Sequence, residues 1–343
     1  MADGDVVFMY GFENALQPAD LTTLGWSFGG APWAVSAVAE SKVGAGAYSL
    51  YASGGGGTGR SWQTPAFTGM QTGWAHAAVY QQGTPSANRN IFIAFSGSGA
   101  AVFIGYKSGG YYEVYVGGTM VATLPYVADV WTHWTFKFDL SGSNVVATIY
   151  RDGVEAVSET TGGTTGAGGS VDTLAGTGNI GGYSSSYYVD GLAVIEGHGS
   201  DWYQPLYIAK LAVDGTNSAG TWTASDTTTH GDVSDADLST YASTGSAADV
   251  LDLSIDDRAS VDASFDPVLV KAVAVHLVGA SDTITPDSVD VTLLEDGVAA
   301  AAAENSGVLI PAGSLSTTIV QDNNGTEWAS ADLDNLSVTL ESV

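Results

Sequence analysis

The sequence predicts an all-β protein in which a two-sheet sandwich is followed by a second, smaller β-sandwich. Three observations lead there. Aromatic and β-branched residues alternate with polar ones at a period of two, and Gly, Ser, Asn or Asp breaks the pattern about every ten residues. Gly is 45 of 343 residues against 9 Pro, and apolar residues reach 45%, which excludes a disordered, collagenous or coiled-coil chain. Helix-period stripes are nearly absent. The length suggests about two domains, and charge divides them: residues 1–200 hold 14 acids and 6 bases, residues 201–343 hold 23 and 3. The boundary is expected near Gly197 to Pro205, giving domains 1–200 and 201–343.

Strands are expected first at Val6 to Phe12, Tyr48 to Ala52, Ile91 to Phe95, Val102 to Tyr106, Tyr111 to Val116 and Thr119 to Leu124. The clearest is Trp131 to Leu140. Thr132, Trp134, Phe136, Phe138 and Leu140 share one face, and Trp131, His133, Thr135, Lys137 and Asp139 share the other, so one side meets a core and the other meets solvent or a second layer. Ser141-Gly142-Ser143-Asn144 turns the chain into Val145 to Tyr150, and Arg151-Asp152-Gly153 turns it again into Val154 to Ser158, because Asp and Gly tolerate positive φ. Tyr187 to Ile195 completes the first module. Gly54 to Gly57 and Gly162 to Gly169 read as flexible surface connections.

The second module opens with strand-like Leu206 to Val213 and an Asp-rich polar stretch to Ser246. Strands resume at Ala248 to Ile255, Val268 to Val278, Val289 to Glu295, Gly307 to Ile310, Ser316 to Val320 and Leu336 to Leu340. Glu327 to Leu333 reads as one helical turn with Ser330 as its N-cap.

A formal charge of −28 argues against nucleic acid and anionic membrane as partners, since phosphate contacts need clustered Lys and Arg. Zero Cys removes disulfides, thiolate nucleophiles and Cys-based zinc sites. Met1 to Asp5 lacks a positive n-region and no run reaches the roughly 20 apolar residues of a span. The expectation is synthesis in a cytoplasm, no membrane insertion and exit by lysis. The acidic excess suits solubility of a sheet-rich chain, or a high-salt setting.

Val7-Phe8-Met9-Tyr10-Gly11-Phe12-Glu13, followed by Ser41 to Leu50, resembles the opening of concanavalin A-like (laminin G-like) jelly rolls. Trp131-Thr132-His133-Trp134, Tyr150 to Val154 and Tyr188 to Val194 look like that family's central strand, hairpin and last strand, covering most of residues 5–197. The order Ile208 to Gly215, Thr221-Trp222-Thr223-Ala224-Ser225, Asp237 to Tyr241 and Asp322 to Trp328 resembles the C-terminal half of tailed-phage virion proteins; Ala224 stands where that family has Pro, and Asn323 and Asn324 replace its common Pro and Thr. The resemblance implies a non-enzymatic structural protein on a virion surface, as a tail fibre, tail-associated protein, capsid decoration or head fibre. Its implied partners are other virion proteins, further copies of itself and host-surface carbohydrate or receptor. The alternative is a lectin or a jelly-roll glycoside hydrolase.

Hydrolysis of a glycoside needs two carboxylates about 5 to 9 Å apart on one face. In the first module the close pair is Asp3 and Asp5, at the start of the chain, and Glu113 stands alone; Asp235/Asp237, Asp256/Asp257 and Asp332/Asp334 lie in loops or near turns. His76, His133, His198, His230 and His276 show no ligand spacing. No catalytic residue and no cofactor are therefore expected. Calcium is the ion the chain's oxygen groups suit, with Asp139 and Asn144, Asp190, and Asp322, Asn324 and Glu327 as candidates, although their turn-forming use explains them without an ion. Trp26, Trp33, Trp62, Tyr111, Tyr183 and Tyr187 are the candidate glycan or partner contacts, the competing reading being core packing.

Overall fold

A computed structural model describes residues 4–12, 16–30, 33–36, 48–52, 59–84, 88–97, 99–159, 162–179, 186–198, 202–206, 208–225, 228–229, 231, 242–244, 246, 248–258, 270, 272–279, 288–300, 305–309, 314–320 and 327–342. The chain is all-β and separates into two compact units, Met1–Ile208 and Ala209–Val343. Trp202 to Leu206, beyond the charge boundary, thus belong to the first.

The first unit contains β1 (Val6–Tyr10), helix α1 (Pro18–Thr23), β2 (Ser27–Gly29), β3 (Trp33–Ser36), β4 (Ser49–Ala52), β5 (Gly59–Gln63), β6 (Thr72–Gln81), β7 (Arg89–Ser96) and β8 (Gly99–Lys107). It continues through β9 (Tyr111–Val116), β10 (Thr119–Pro125), β11 (Trp131–Asp139), β12 (Val146–Arg151), β13 (Val154–Glu159), β14 (Val171–Asn179) and β15 (Tyr187–Glu196). An eight-stranded sheet runs β13-β12-β11-β6-β15-β4-β3 with β1 also on β15, and a seven-stranded sheet runs β10-β9-β8-β7-β14-β5-β2. All pairings are antiparallel. The chain changes sheet at β1 to β2, β2 to β3, β4 to β5, β5 to β6, β6 to β7, β10 to β11, β13 to β14 and β14 to β15, and these crossings make the sandwich a jelly roll.

The core lies between the sheets. Alternation on β11 sends Trp134, Phe136 and Phe138 inward, where they are fully buried, and Phe136 stacks on Phe92 of β7 with centroids 4.6 Å apart. Each such ring stabilises the fold by about 1.5 to 3 kcal/mol on burial. A second aromatic group, Tyr10, Phe12 and Trp26, fills one end.

The 162–169 segment corrects the expectation of a flexible connection. Gly163 N donates to Val116 O, Thr165 N to Gly117 O, and Gly168 N to Leu140 O, at 3.0, 3.0 and 2.7 Å. Gly117 has φ +59°, and a Cβ there would collide with the backbone of Gly163, so glycine is used for close packing of two chains. Gly54 to Gly57 lie outside the described residues.

The second unit contains β16 (Val213–Ser218), β17 (Thr223–Ala224), β18 (Ala242–Ser243), β19 (Val250–Ile255), β20 (Val273–Gly279), β21 (Ser288–Glu295), β22 (Val298–Ala299), β23 (Asn305–Leu309), β24 (Ser314–Val320) and β25 (Leu336–Ser342). A six-stranded sheet, β16-β19-β25-β21-β22 with β23 on β21, accompanies the ladders β17–β18 and β20–β24. Leu251, Leu253, Val291, Leu293, Trp328 and Leu340 are part of its core. The described residues between 206 and 212 are not strand, because β16 pairs with β19 only from Val213 onward. The helical turn is a 3-10 turn, Ser330–Asn335, with Ala329 at the cap position in place of the expected Ser330; the Ala329 amide donates to Asp332 Oδ2 at 2.9 Å.

Candidate functional site

The outer face of the eight-stranded sheet, away from the core, collects the first unit's unusual chemistry. Register sets it in rows. Trp131 of β11 faces Tyr80 of β6, which faces Tyr188 of β15, which faces Tyr51 of β4. The four rings form a continuous strip with centroid separations of 5.7, 5.5 and 4.7 Å along it. Trp131 and Tyr51, at its ends, are half-buried, and the middle pair is buried. Two residues further along the strands, His133 faces Ala78, and Ala78 faces Asp190. Two further on, Tyr150 of β12 faces Thr135, which faces His76, which faces Ala193. Beyond them Lys137 lies over the Trp74 ring, 4.8 Å from its centroid.

Ala78, with its small side chain, stands in the register between His133 and Asp190, two residues from His76. Thr135 Oγ1 and His76 Nδ1 are hydrogen-bonded at 3.0 Å. His76 is 3% exposed, and its Nε2 has no hydrogen-bond partner among the described residues. Burial, reinforced by the nearby His133, lowers its pKa to about 3, so the ring is neutral at neutral pH. Burial also lowers His133, against the opposing pull of Asp152. Asp152, at the β12–β13 turn, accepts from the His133 amide at 2.8 Å and fixes that end of β11. Asp190 is 2% exposed and its Oδ1 accepts from the Gly191 amide at 2.7 Å. Gly191, at φ +58°, lies in the irregularity that interrupts the β15–β6 register between Asp190 and Ala193. Ser49, which alternation on β4 places on this face beside Tyr51, is fully buried, with an Oγ that has no partner among the described residues.

A sheet face turned from the core usually meets water, yet β15 is buried from Tyr187 to Ile195 and β6 from Gly73 to Gln81, on both faces. The segment after β15 supplies part of the cover. Tyr203 stacks on Tyr150 at 5.4 Å, Gln204 and Pro205 lie against Gly153, and Leu206 O comes against Gly191. The segment thus touches the sheet on its β12 side and again at β15.

The seven-stranded sheet presents a more open face at β8–β10. Phe103 and Tyr115 stack at 4.3 Å, Lys107 pairs with Glu113 at 2.8 Å, and the Tyr115 hydroxyl donates to Glu113. Burial raises the Glu113 pKa, but the hydrogen bonds from Lys107 and Tyr115 outweigh it and hold the carboxyl below its usual value.

Three of the six aromatic candidates belong to the core, because strand alternation or the fold's end cluster turns them inward. Trp26 packs on Tyr10 and Phe12; Trp62 is 1% exposed and donates from Nε1 to the Tyr187 hydroxyl, which donates to Ile91 O. Their buried rings leave no face for a ligand. Trp33 is half-buried and donates to Gly29 O, Tyr111 is exposed beside Lys107, and Tyr183 lies outside the described residues. Of the calcium candidates, Asp139 forms a turn by accepting from the Ser141 hydroxyl and amide, which lower its pKa, and Asn144 and Glu327 are exposed. Asp322 and Asn324 lie outside the described residues. Among the described residues no three His, Asp or Glu stand close enough to hold a metal ion.

Sequence reading missed Tyr51, Tyr80, Tyr188, His76 and Thr135 as a group. Alternation had put Trp131, His133 and Thr135 on one face, but nothing local shows which strands flank them.

Fold and face together define a jelly-roll sandwich with an aromatic and polar outer sheet. No protein family and no curated protein matches the sequence. Among solved structures the chain is similar to the catalytic domain of a glycoside hydrolase family 131 protein from Coprinopsis cinerea, with 19% identity, TM-score 0.43, and coverage of 57% of this chain and 95% of that one. It is also similar to a carbohydrate esterase of the Shiga toxin-encoding bacteriophage phi24B, at 16% identity, TM-score 0.41, 57% and 100% coverage. A third is an endo-β-1,4-glucuronan lyase from the fungus Trichoderma reesei, at 13%, 0.41, 56% and 96%. At these identities and TM-scores no activity transfers to this chain.

Proposed function

We propose that the first unit is a carbohydrate-recognition jelly roll that binds glycan without cleaving it. The observation that carries this is the strip Trp131–Tyr80–Tyr188–Tyr51, four rings in contact across four strands, in which the buried middle pair holds the half-buried end rings Trp131 and Tyr51 as the faces offered to sugar. Support for binding over hydrolysis comes from the carboxylates. On β6, β11 and β15 the outer face carries Asp190 opposite Ala78 and Asp139 opposite Thr72, six residues apart along β6 and so about 20 Å apart, too far for paired acid chemistry.

The test is a glycan array on the intact protein, alongside a reducing-sugar release assay on each glycan retained. Retention without release supports the reading; release of product overturns it in favour of an enzyme.

We further propose that the unit is displayed in several copies on a tailed-virus particle, with other virion proteins as partners. The motif order of the second unit supports this. Its Thr221-Trp222 turn is a built element, held by Asp249, which accepts from the Thr221 amide and hydroxyl and from Thr244. Immunogold labelling of purified particles tests it, and labelling confined to the soluble lysate sinks it.

A further inference from the structure

We infer that the glycan face has a second half, a polar subsite for a sugar hydroxyl at His76 Nε2, covered in the free protein by the chain's own segment Tyr203–Leu206. The inference rests on the carbohydrate reading above and adds to it where the extra contacts lie and what regulates access to them.

Three independent observations meet at this place. The first is the orphaned acceptor or donor. His76 is buried and uses Nδ1 on Thr135, while Nε2 has no partner among the described residues. A neutral imidazole nitrogen either accepts or donates according to tautomer, and a hydroxyl group can answer both. A second buried polar atom on this face without a partner among the described residues, Ser49 Oγ, and the buried carboxylate of Asp190 add polar groups of the kind that read sugar hydroxyls.

The second is continuity with the ring strip. His133, Ala78 and Asp190 lie two residues along the strands from Trp131, Tyr80 and Tyr188, about 7 Å away. His76 is two residues beyond Ala78. A sugar chain seated on the rings and turning along the strands reaches this row within one or two units.

The third is how the cover is held. Three interstrand spacings separate β12 from β15, about 14 Å, a distance that Tyr203 to Leu206 and the Gln204 side chain together bridge. The hold consists of a ring stack on Tyr150 and of van der Waals approach at Gly153 and Gly191. Trp202 is buried and anchors the start of the segment, beyond which Gln204 is exposed and Tyr203, Pro205 and Leu206 are half-buried, and no residue from Trp202 to Leu206 is in a strand. Such a segment opens at far lower cost than a strand of either sheet.

Carbethoxylation by diethyl pyrocarbonate tests the cover without any sugar. The reagent attacks neutral imidazole, and His76 is neutral at pH 7, so between two proteins that both keep the Thr135 hydrogen bond the difference in labelling rate reports access. Intact protein is compared with the double variant Tyr203→Ala/Gln204→Gly, with peptide-level hydrogen exchange on both. We expect residues 202–206 to exchange faster in the variant while β6 and β15 stay protected, and His76 to label at least tenfold faster. A glycan array on both proteins then reads the subsite: the variant gains at least fivefold on chains of four or more sugars and is unchanged on disaccharides, and adding His76→Leu abolishes the gain. Unchanged His76 labelling overturns the cover where residues 203–206 exchange faster, and overturns the weak hold of the segment where they do not. An open His76 with no gain on long chains overturns the subsite. A blank array with an opened His76 overturns the carbohydrate reading and leaves the cover standing, whereas glycan retained equally by both proteins with His76 closed does the reverse.

Discussion

His76 and Thr135 stand directly opposite each other on β6 and β11, 59 residues apart in the chain, and share a 3.0 Å hydrogen bond that is the sole one His76 makes through its ring among the described residues. A buried imidazole that keeps one satisfied nitrogen is sensitive to loss of that partner. Thr135→Val retains the shape and removes the hydroxyl, leaving both ring nitrogens unsatisfied. We expect a loss of about 1 to 3 kcal/mol in urea unfolding of the first unit. An unchanged midpoint would show that water replaces the threonine.

Acid stability follows from the same ring. The folded pKa of about 3 lies below the ordinary 6.5, so the unfolded chain takes up the proton first. The stability tied to neutral His76 is fully present above about pH 6.5 and drains away as pH falls toward 3, by roughly 5 kcal/mol in all. His133, also lowered, adds in the same direction. Unfolding measured from pH 8 to pH 4 should fall more steeply for the intact protein than for His76→Gln, and parallel curves would contradict the assignment.

Glycan affinity should depend on Trp131 more than the fold does. Its ring is half-buried at the end of the strip, at the first residue of β11. Trp131→Ala should lower retention of any bound glycan at least tenfold while shifting the thermal midpoint by only a few degrees. Equal retention by the variant would move the binding surface elsewhere, the open face around Phe103 and Tyr115 being the next to test by Tyr115→Ala.

Close backbone approach should make Gly117 intolerant. A methyl group there meets the carbonyl of Gly163, at a positive φ that alanine disfavours. Gly117→Ala should cost about 1 to 3 kcal/mol, whereas Gly83→Ala, also at positive φ but with nothing within 4 Å, should cost less. Similar losses at both sites would mean that φ, and not packing, sets the penalty.

In the second unit, Asp249→Ala should free the Thr221 to Ser225 turn. The carboxylate is held below its usual pKa first by the Thr221 hydroxyl, so the turn should also loosen on acidification. Hydrogen exchange at the Thr221 amide is the measurement, and unaltered protection in the variant would show that the β17–β18 ladder suffices.

Legibility in the sequence followed solvent exposure. Strand β9 was read at its observed bounds, and β11 to within a residue, because one face of each is dry and the other partly wet, which writes an alternation into the chain. Central strand β6 was not read at all. Its residues Trp74, Ala75, His76, Ala77 and Ala78 are buried on both faces, so no alternation of polarity survives. Strand β14, rich in Gly and Thr, was missed too, and α1 is only six residues long.

The amino-acid sequence by itself determined that this chain would be β-structured, turn-rich, acidic and divided, since period-two patterning, Asp-Gly turns and charge are local properties. Tertiary structure alone decided that Trp131, Tyr80, Tyr188 and Tyr51 would form one strip, that Trp62 and Tyr187 would be core, and that His76 would be sealed beside Thr135. Those outcomes depend on which distant strands become neighbours and in what register, and a one-residue slip would send each side chain to the opposite face. Register is fixed by the summed packing of two sheets, which no local stretch of sequence contains.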